Sequence, residues 1–366
     1  MRIRPLVFDI LLAPHQARGL SALQWDLLIR QSRRANLLAK LAYELESADM
    51  LNAVPAAVMP HLRAAQQIAA RQKLSIHWEA VCIGKAMAEL QAPVVLLKGA
   101  AYLLGDLPTA QGRLFSDVDI LVPKAFLDQA ETACLQAGWR AQEISDYDQR
   151  YYRRWMHEIP PLYHQRRGSS LDLHHAILPE TARLKVNTAA LFDRLQALPA
   201  YPGLFTLAPA DMLLHSATHL FHEGEFEHGA RDLFDLRGLM LDFGQRTGFW
   251  EALVARAATL GLQRPLFYAL RYAHRLLDTP VPAEVLDASR AWAPAKALLT
   301  LMDVCYGRAL LPLHASCDSA GAQLARRALY LRSHWLRMPP HLLAYHLGHK
   351  ALWPNREPAV EAEQPH

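Results

Sequence analysis

The 366-residue chain predicts an α+β fold in which a short mixed β-sheet is flanked by N-terminal and C-terminal helical regions. Three observations predict it. Apolar residues recur every three or four positions through residues 1–90, the period of amphipathic helices. Short β-type runs then appear between Pro93 and His175, among them Val94-Val-Leu-Leu97, Asp117-Val-Asp-Ile-Leu-Val122 and the alternating Ser169-Ser-Leu-Asp-Leu-His-His175. From about Asn187 the helical period returns and continues to about residue 350. The chain so read divides into a helical region over 1–90, a sheet-bearing core over 91–200, a second helical region over 201–353 and a flexible polar tail over 354–366.

Composition is that of an ordinary globular protein, about half apolar and one fifth charged. The 39 basic and 35 acidic residues leave a net charge of +4, too mild an excess to argue for nucleic acid. Cys82, Cys134, Cys305 and Cys317 lie far apart with no zinc-ligand spacing, as expected of reduced thiols in a cytoplasmic protein. Asp9 interrupts the apolar start, so no signal peptide is expected there. No segment approaches the roughly 20 apolar residues of a membrane helix.

In chain order, Ser21 reads as the cap of a helical pattern that runs through Leu45. Pro55 and Pro60 punctuate a break, and a long helix follows from about His61 to Leu90. The first strand, from about 93 to 98, ends at Lys98-Gly99, and Ala100 to Leu104 continues as helix. Such a turn presents backbone N–H groups and the positive end of a helix dipole, suited to phosphate. The second strand spans about 117–122. On it Asp117 and Asp119 share a face, while Val118 and Ile120 point the other way into a core. Lys124 to Gln136 reads as a helix closed by Gly138. Further strands are expected near 139–144, 160–166 and 169–175; in the last, Ser170, Asp172 and His174 share the polar face. In the helix opening at Pro209, His215 and His219 are i and i+4, hence on one face. The stretch from Asp318 to Glu357 holds no acidic residue between its ends, while Arg326, Arg327, Arg332, Arg337 and Lys350 all appear. Their interleaving with Leu, Ala, Trp and Tyr favours a packed helical layer with a basic rim over an anion-binding surface.

Two carboxylates side by side repel unless a cation lies between them or water solvates both. Hard divalent cations prefer such all-oxygen surroundings, often completed by substrate phosphates. A third carboxylate on a neighbouring strand strengthens that reading.

These residues resemble the polymerase-β-like nucleotidyltransferases, most closely the branch of uncharacterised bacterial nucleotidyltransferase-family proteins. The likeness rests on Leu97-Lys-Gly99, Arg113-x-x-Ser-Asp-Val-Asp-Ile-Leu-Val122, Leu171-Asp-Leu-His174 and His215/His219 with Arg231-Asp232, covering roughly 94–240. It implies a nucleotidyltransferase-like core. Asp117 and Asp119 would hold Mg²⁺ (or Mn²⁺) on a nucleoside triphosphate such as ATP. Asp172 would complete a second metal site or serve as base toward an acceptor hydroxyl. Lys98, Gly99, Arg113 and Ser116 are candidates for the phosphates; His174, His215 and His219 are candidates for substrate. The acceptor is a small molecule, a protein side chain or an RNA end. One departure stands out: many members place Gly-Ser shortly before the aspartates, whereas here Gly99 precedes Ala100 and lies 18 positions before Asp117. That departure keeps open a non-catalytic nucleotide-binding or regulatory module of the same fold. A third reading, a His/Asp metal-dependent phosphohydrolase, would draw on His215, His219, His222, His228 and Asp232.

Overall fold

The computed structural model describes residues 4–142, 144–318 and 320–342. Lys350 and the tail over 354–366 lie outside the described residues.

Four helices precede the sheet: α1 (Leu6–Leu12), α2 (Ala22–Arg34), α3 (Leu38–Ser47) and α4 (Met59–Ala86). Ser21 caps α2 in a reciprocal box, its backbone N–H donating to Gln24 Oε1 at 2.8 Å while its Oγ accepts from the Gln24 N–H. The helical pattern running through Leu45 is two helices, because Asn36 takes φ 57° and turns the chain between them.

Seven short strands make one mixed sheet: β1 (Val94–Leu96), β2 (Asp117–Leu121), β3 (Trp139–Ala141), β4 (Leu162–His164), β5 (Ser170–His174), β6 (Leu195–Ala197) and β7 (Leu204–Leu207). Their order is β3-β4-β5-β2-β1-β7-β6. The pairs β2/β5 and β1/β7 are parallel, and the other neighbouring pairs are antiparallel. Within the sheet lie α5 (Lys98–Leu104), α6 (Leu127–Gln136) and α7 (Asp146–Trp155). Beyond it come α8 (Pro209–His222), α9 (Gly229–Phe243), α10 (Phe249–Leu260), α11 (Gln263–Leu277), α12 (Ala283–Ser289), α13 (Lys296–Ala309) and α14 (Ala320–Arg337).

The expected α+β architecture with helical flanks is the observed one, but the sheet is larger than the five strands read from sequence. The hairpin β6–β7 straddles the division expected at residue 200, and β7 pairs with β1 in register Val94↔Leu204 to Leu96↔Thr206. Strands of three and four residues are too short for alternation to reveal, and Gly203 at φ 83° supplies their turn. The stretch Tyr147–Arg154, crowded with Tyr and Arg, lies in α7.

A contiguous hydrophobic core joins all three regions, from Val7 and Phe8 through Val95, Ile120 and Leu173 to Leu266 and Leu329. Phe8 of α1 meets Phe234 of α9 edge to face, with ring centroids 5.2 Å apart. The N-terminal helices therefore pack against the C-terminal ones as well as against the sheet.

Candidate active site

The site begins with strand register. Parallel pairing of β2 with β5 sets Asp119 opposite Asp172 and Asp117 opposite Ser170. Side chains at matched positions of neighbouring strands share a face, on backbones about 4.8 Å apart. Asp117, two residues before Asp119, rises from that face too. The opposite face carries Val118 and Leu171, both buried.

Cations crowd Asp119, which is 3% exposed. Lys98 Nζ donates to its Oδ1 at 2.9 Å, and His174 Nε2 lies 3.0 Å from the same oxygen. Burial alone would raise the Asp119 carboxyl; the Lys98 ammonium and the His174 ring outweigh it and hold the group well below the usual carboxylate range. Both contacts fall on Oδ1. Asp172 goes the other way. Burial first, then the charges of Asp119 and Glu158, push its carboxyl up to about 7. Its Oδ1 is buried with no hydrogen-bond partner. Ser116 Oγ donates to Asp117 Oδ1 at 3.0 Å.

Lys98 reaches Asp119 because of the turn it occupies. It opens α5 directly after Leu97, with φ 46°, a left-handed conformation unusual for a side chain this large. Gly99 is buried, and a Cβ there would lie 2.9 Å from Arg113 Cζ and 3.1 Å from Phe115. Gly99 is thus a packing glycine. Arg113 donates from Nε to Asp235 Oδ2 at 2.9 Å and from Nη1 to the Leu114 carbonyl at 3.1 Å, with its side chain 9% exposed. These contacts direct it toward α9. A fully desolvated guanidinium needs a carboxylate, and Asp235 is the one α9 supplies.

His215 of α8 is buried; burial, with the Lys98 charge, lowers it to about 3. His219 pairs through Nε2 with Glu223 Oε2 at 2.8 Å. His222 is buried with neither ring nitrogen partnered, and Asp232 pairs with Arg231 at 2.8 Å. The competing histidine set does not assemble. Among the described residues, the ligand atoms that gather within 4.8 Å belong to His157, Glu158 and His174 instead. The three aspartates are not gathered to that degree either.

Glu158 and Glu223 are the site residues that sequence reasoning overlooked. Glu158 Oε2 lies 3.2 Å from His174 Nδ1, brought there by an isolated antiparallel bridge to β5 that no spacing reveals. Glu223 was legible, since it stands four residues after His219 on the same helix face.

A cleft of about 650 Å³ opens on Asp117 and Ser116. One wall is α4, with Arg71, Ser75 and Trp78; the other is the β4–β5 turn, with Arg167 and Ser169.

Paired carboxylates on adjacent parallel strands, beside a lysine-bearing strand-to-helix turn in a mixed sheet, define a nucleotidyltransferase-like core. The chain belongs to a family of uncharacterised nucleotidyltransferases, whose model matches residues 21–278. No curated protein and no solved structure matches it. No helix among the described residues is long and apolar enough to cross a membrane.

Proposed function

We propose that the protein is a metal-dependent nucleotidyltransferase that moves a nucleoside monophosphate from a nucleoside triphosphate to an acceptor hydroxyl. The observation that carries this reading is the register match of Asp119 with Asp172, with Asp117 on the same edge. The donor set suits Mg²⁺ or Mn²⁺: hard oxygens, one of them the buried, partnerless Oδ1 of Asp172. Asp117 and Asp119 would hold the ion on the triphosphate, with Asp172 as the candidate to complete the set. Such ions, when bound, would supply positive charge to the phosphoryl group in transfer.

The chain's own groups do the remainder. Asp172 either completes the metal set or, free of the ion, takes the proton from the acceptor hydroxyl as its oxygen attacks the α-phosphorus. The bond from that phosphorus to the bridging oxygen breaks, and pyrophosphate leaves. Lys98 offers its ammonium to the phosphates as a point charge, and Ser116 offers a hydroxyl at the cleft edge. The cleft beside Asp117 is lined by Ser116 and Val118 and by neither Asp119, Asp172 nor Lys98, so it adjoins the carboxylate face rather than containing it. Arg113 and Gly99 act by packing, holding the turn that aims Lys98.

The test is pyrophosphate release from each nucleoside triphosphate with Mg²⁺ or Mn²⁺, over a panel of small-molecule, protein and RNA acceptors. Asp117→Asn and Asp172→Asn are each expected to lower turnover by about 100-fold or more, the scale of losing a transition-state charge contact. Tight nucleotide binding without pyrophosphate release across the panel, or turnover that survives both substitutions, rules the reading out. The first of those results leaves a nucleotide-binding module.

A further inference from the structure

Next to the aspartates lies a second set of ligand atoms with different chemistry. His157 and Glu158 follow α7, Glu223 caps the C-terminus of α8, and His174 ends β5. His157 Nε2 stands 3.9 Å from Glu158 Oε2 and 3.8 Å from Glu223 Oε1. Glu158 Oε2 stands 3.2 Å from His174 Nδ1. Both histidines are 4% exposed, and His157 Nδ1 is buried with no partner.

As a hydrogen-bonded cluster this is poor. Two of the three separations exceed hydrogen-bonding reach, so among the described residues no hydrogen bond holds the buried His157 ring by either nitrogen. As a coordination shell it is coherent. A tetrahedral ion with bonds of about 2.0–2.2 Å sets neighbouring donor atoms roughly 3.3–3.6 Å apart, and the separations of Glu158 Oε2 from His174 and from His157 bracket that range. The outer contacts fit as well. His174 presents its other nitrogen to Asp119 at 3.0 Å, the carboxylate–histidine arrangement that orients metal-bound imidazoles. Glu223 Oε2 is engaged by His219, which leaves Oε1 for the cluster.

We propose that His157, Glu158 and His174 bind a divalent transition-metal ion of the zinc class, with Glu223 beside His157. Two imidazole nitrogens beside one carboxylate select against Mg²⁺ and Ca²⁺, which take oxygen ligands. The ion fixes the His174 ring and, through it, the Asp119 carboxylate. It is thus a positioning site beside the aspartates, and it does not depend on the transfer reaction.

Co²⁺ is the probe, because its visible spectrum reports nitrogen ligation and low coordination number while an all-oxygen octahedral site stays nearly colourless. The metal-stripped full-length protein is expected to bind one equivalent of Co²⁺ with intense visible bands. Glu158→Gln and His157→Gln are each expected to weaken that binding at least about tenfold, since even outer-shell substitutions reach that scale. Asp172→Asn is expected to leave the bands unchanged. Circular dichroism of each variant separates a lost ligand from a lost fold, and binding by the unsubstituted protein is read independently of either variant. The proposal is overturned by the absence of saturable visible bands in that protein. It is equally overturned by folded Glu158 and His157 variants that bind as tightly as the parent, or by bands that vanish in Asp172→Asn.

Discussion

Asp172 shares one face of the sheet with two other aspartates and has Glu158 within electrostatic range. Burial, then Asp119 and Glu158, raise its folded-state pKa to about 7 from 3.8. A raised carboxyl pKa means that the native chain holds the proton more tightly than the unfolded one. The native state therefore loses stability as pH climbs from the unfolded value through about 7, and the whole penalty is present above that. A carboxylate acting as base or ligand must be ionised, so kcat/KM is expected to rise with pH around a midpoint near 7 when Mg²⁺ is scarce. Saturating Mg²⁺ moves the midpoint down, because a cation favours the ionised form. Metal-free Asp172→Asn is expected to gain about 1–2 kcal/mol over the parent above neutral pH, well short of the full ~1.4 kcal/mol for every tenfold change in proton affinity, because water still reaches part of the group. A pH profile indifferent to Mg²⁺, or a variant that melts lower than the parent at alkaline pH, contradicts this role for Asp172. Asp117, Asp119 and Asp172 were legible because period-two alternation assigns side chains to faces from their spacing alone. Which strand lies beside which is a long-range matter, and that is why Glu158, brought in by a single bridge, escaped notice.

The turn from β1 into α5 is built by packing rather than by phosphate-facing glycine. Gly99 leaves room for the Arg113 guanidinium, which faces the rings of Phe115 and Tyr102 at 5.3 and 5.8 Å and pairs with Asp235. Gly99→Ala is expected to cost about 1–3 kcal/mol, as overpacking of a filled site does, read as a lower urea midpoint with an unchanged denaturant slope. An unaltered midpoint would mean that the guanidinium is not confined there. The long helices α2 and α4 were readable from their period, and α2 also from its Ser21 cap, whereas α3 was read as continuous with α2 and α7 was not read as helix. The hairpin β6–β7 was not, since seven strand residues flanked by prolines carry too little pattern, and only pairing with β1 stabilises them as strands.

At the scale of the molecule, the helical regions and the sheet are layers around a shared interior. The N-terminal helices contribute Phe8 to α9, and Gln31 connects α1 to the far end of the chain by accepting from the Val7 N–H at 3.0 Å and donating to Ser316 Oγ at 2.8 Å. On the other side, Arg256 of α10 donates to both oxygens of Asp211 at 2.6 and 2.9 Å and to the Ala190 carbonyl at 2.6 Å, linking α8 to the segment before β6. Cutting at 91 and 200, the boundaries that composition favours, would remove β7 from the edge of β1 and expose Val94 and Val95. It would also strip α8 and α9 from the turn at Lys98 and leave Arg113, 9% exposed, without Asp235. A buried charge deprived of its partner costs about 3–5 kcal/mol, a large share of the roughly 5–15 kcal/mol that ordinary folds retain. Residues 91–200 alone are therefore expected to remain unfolded. The full chain should lose secondary structure and tryptophan environment at one temperature, since Trp25 in α2, Trp139 in β3 and Trp250 in α10 sample all three regions. A dispersed, cooperative spectrum from the excised segment, or two separated transitions in the intact protein, would show that the layers are independent domains.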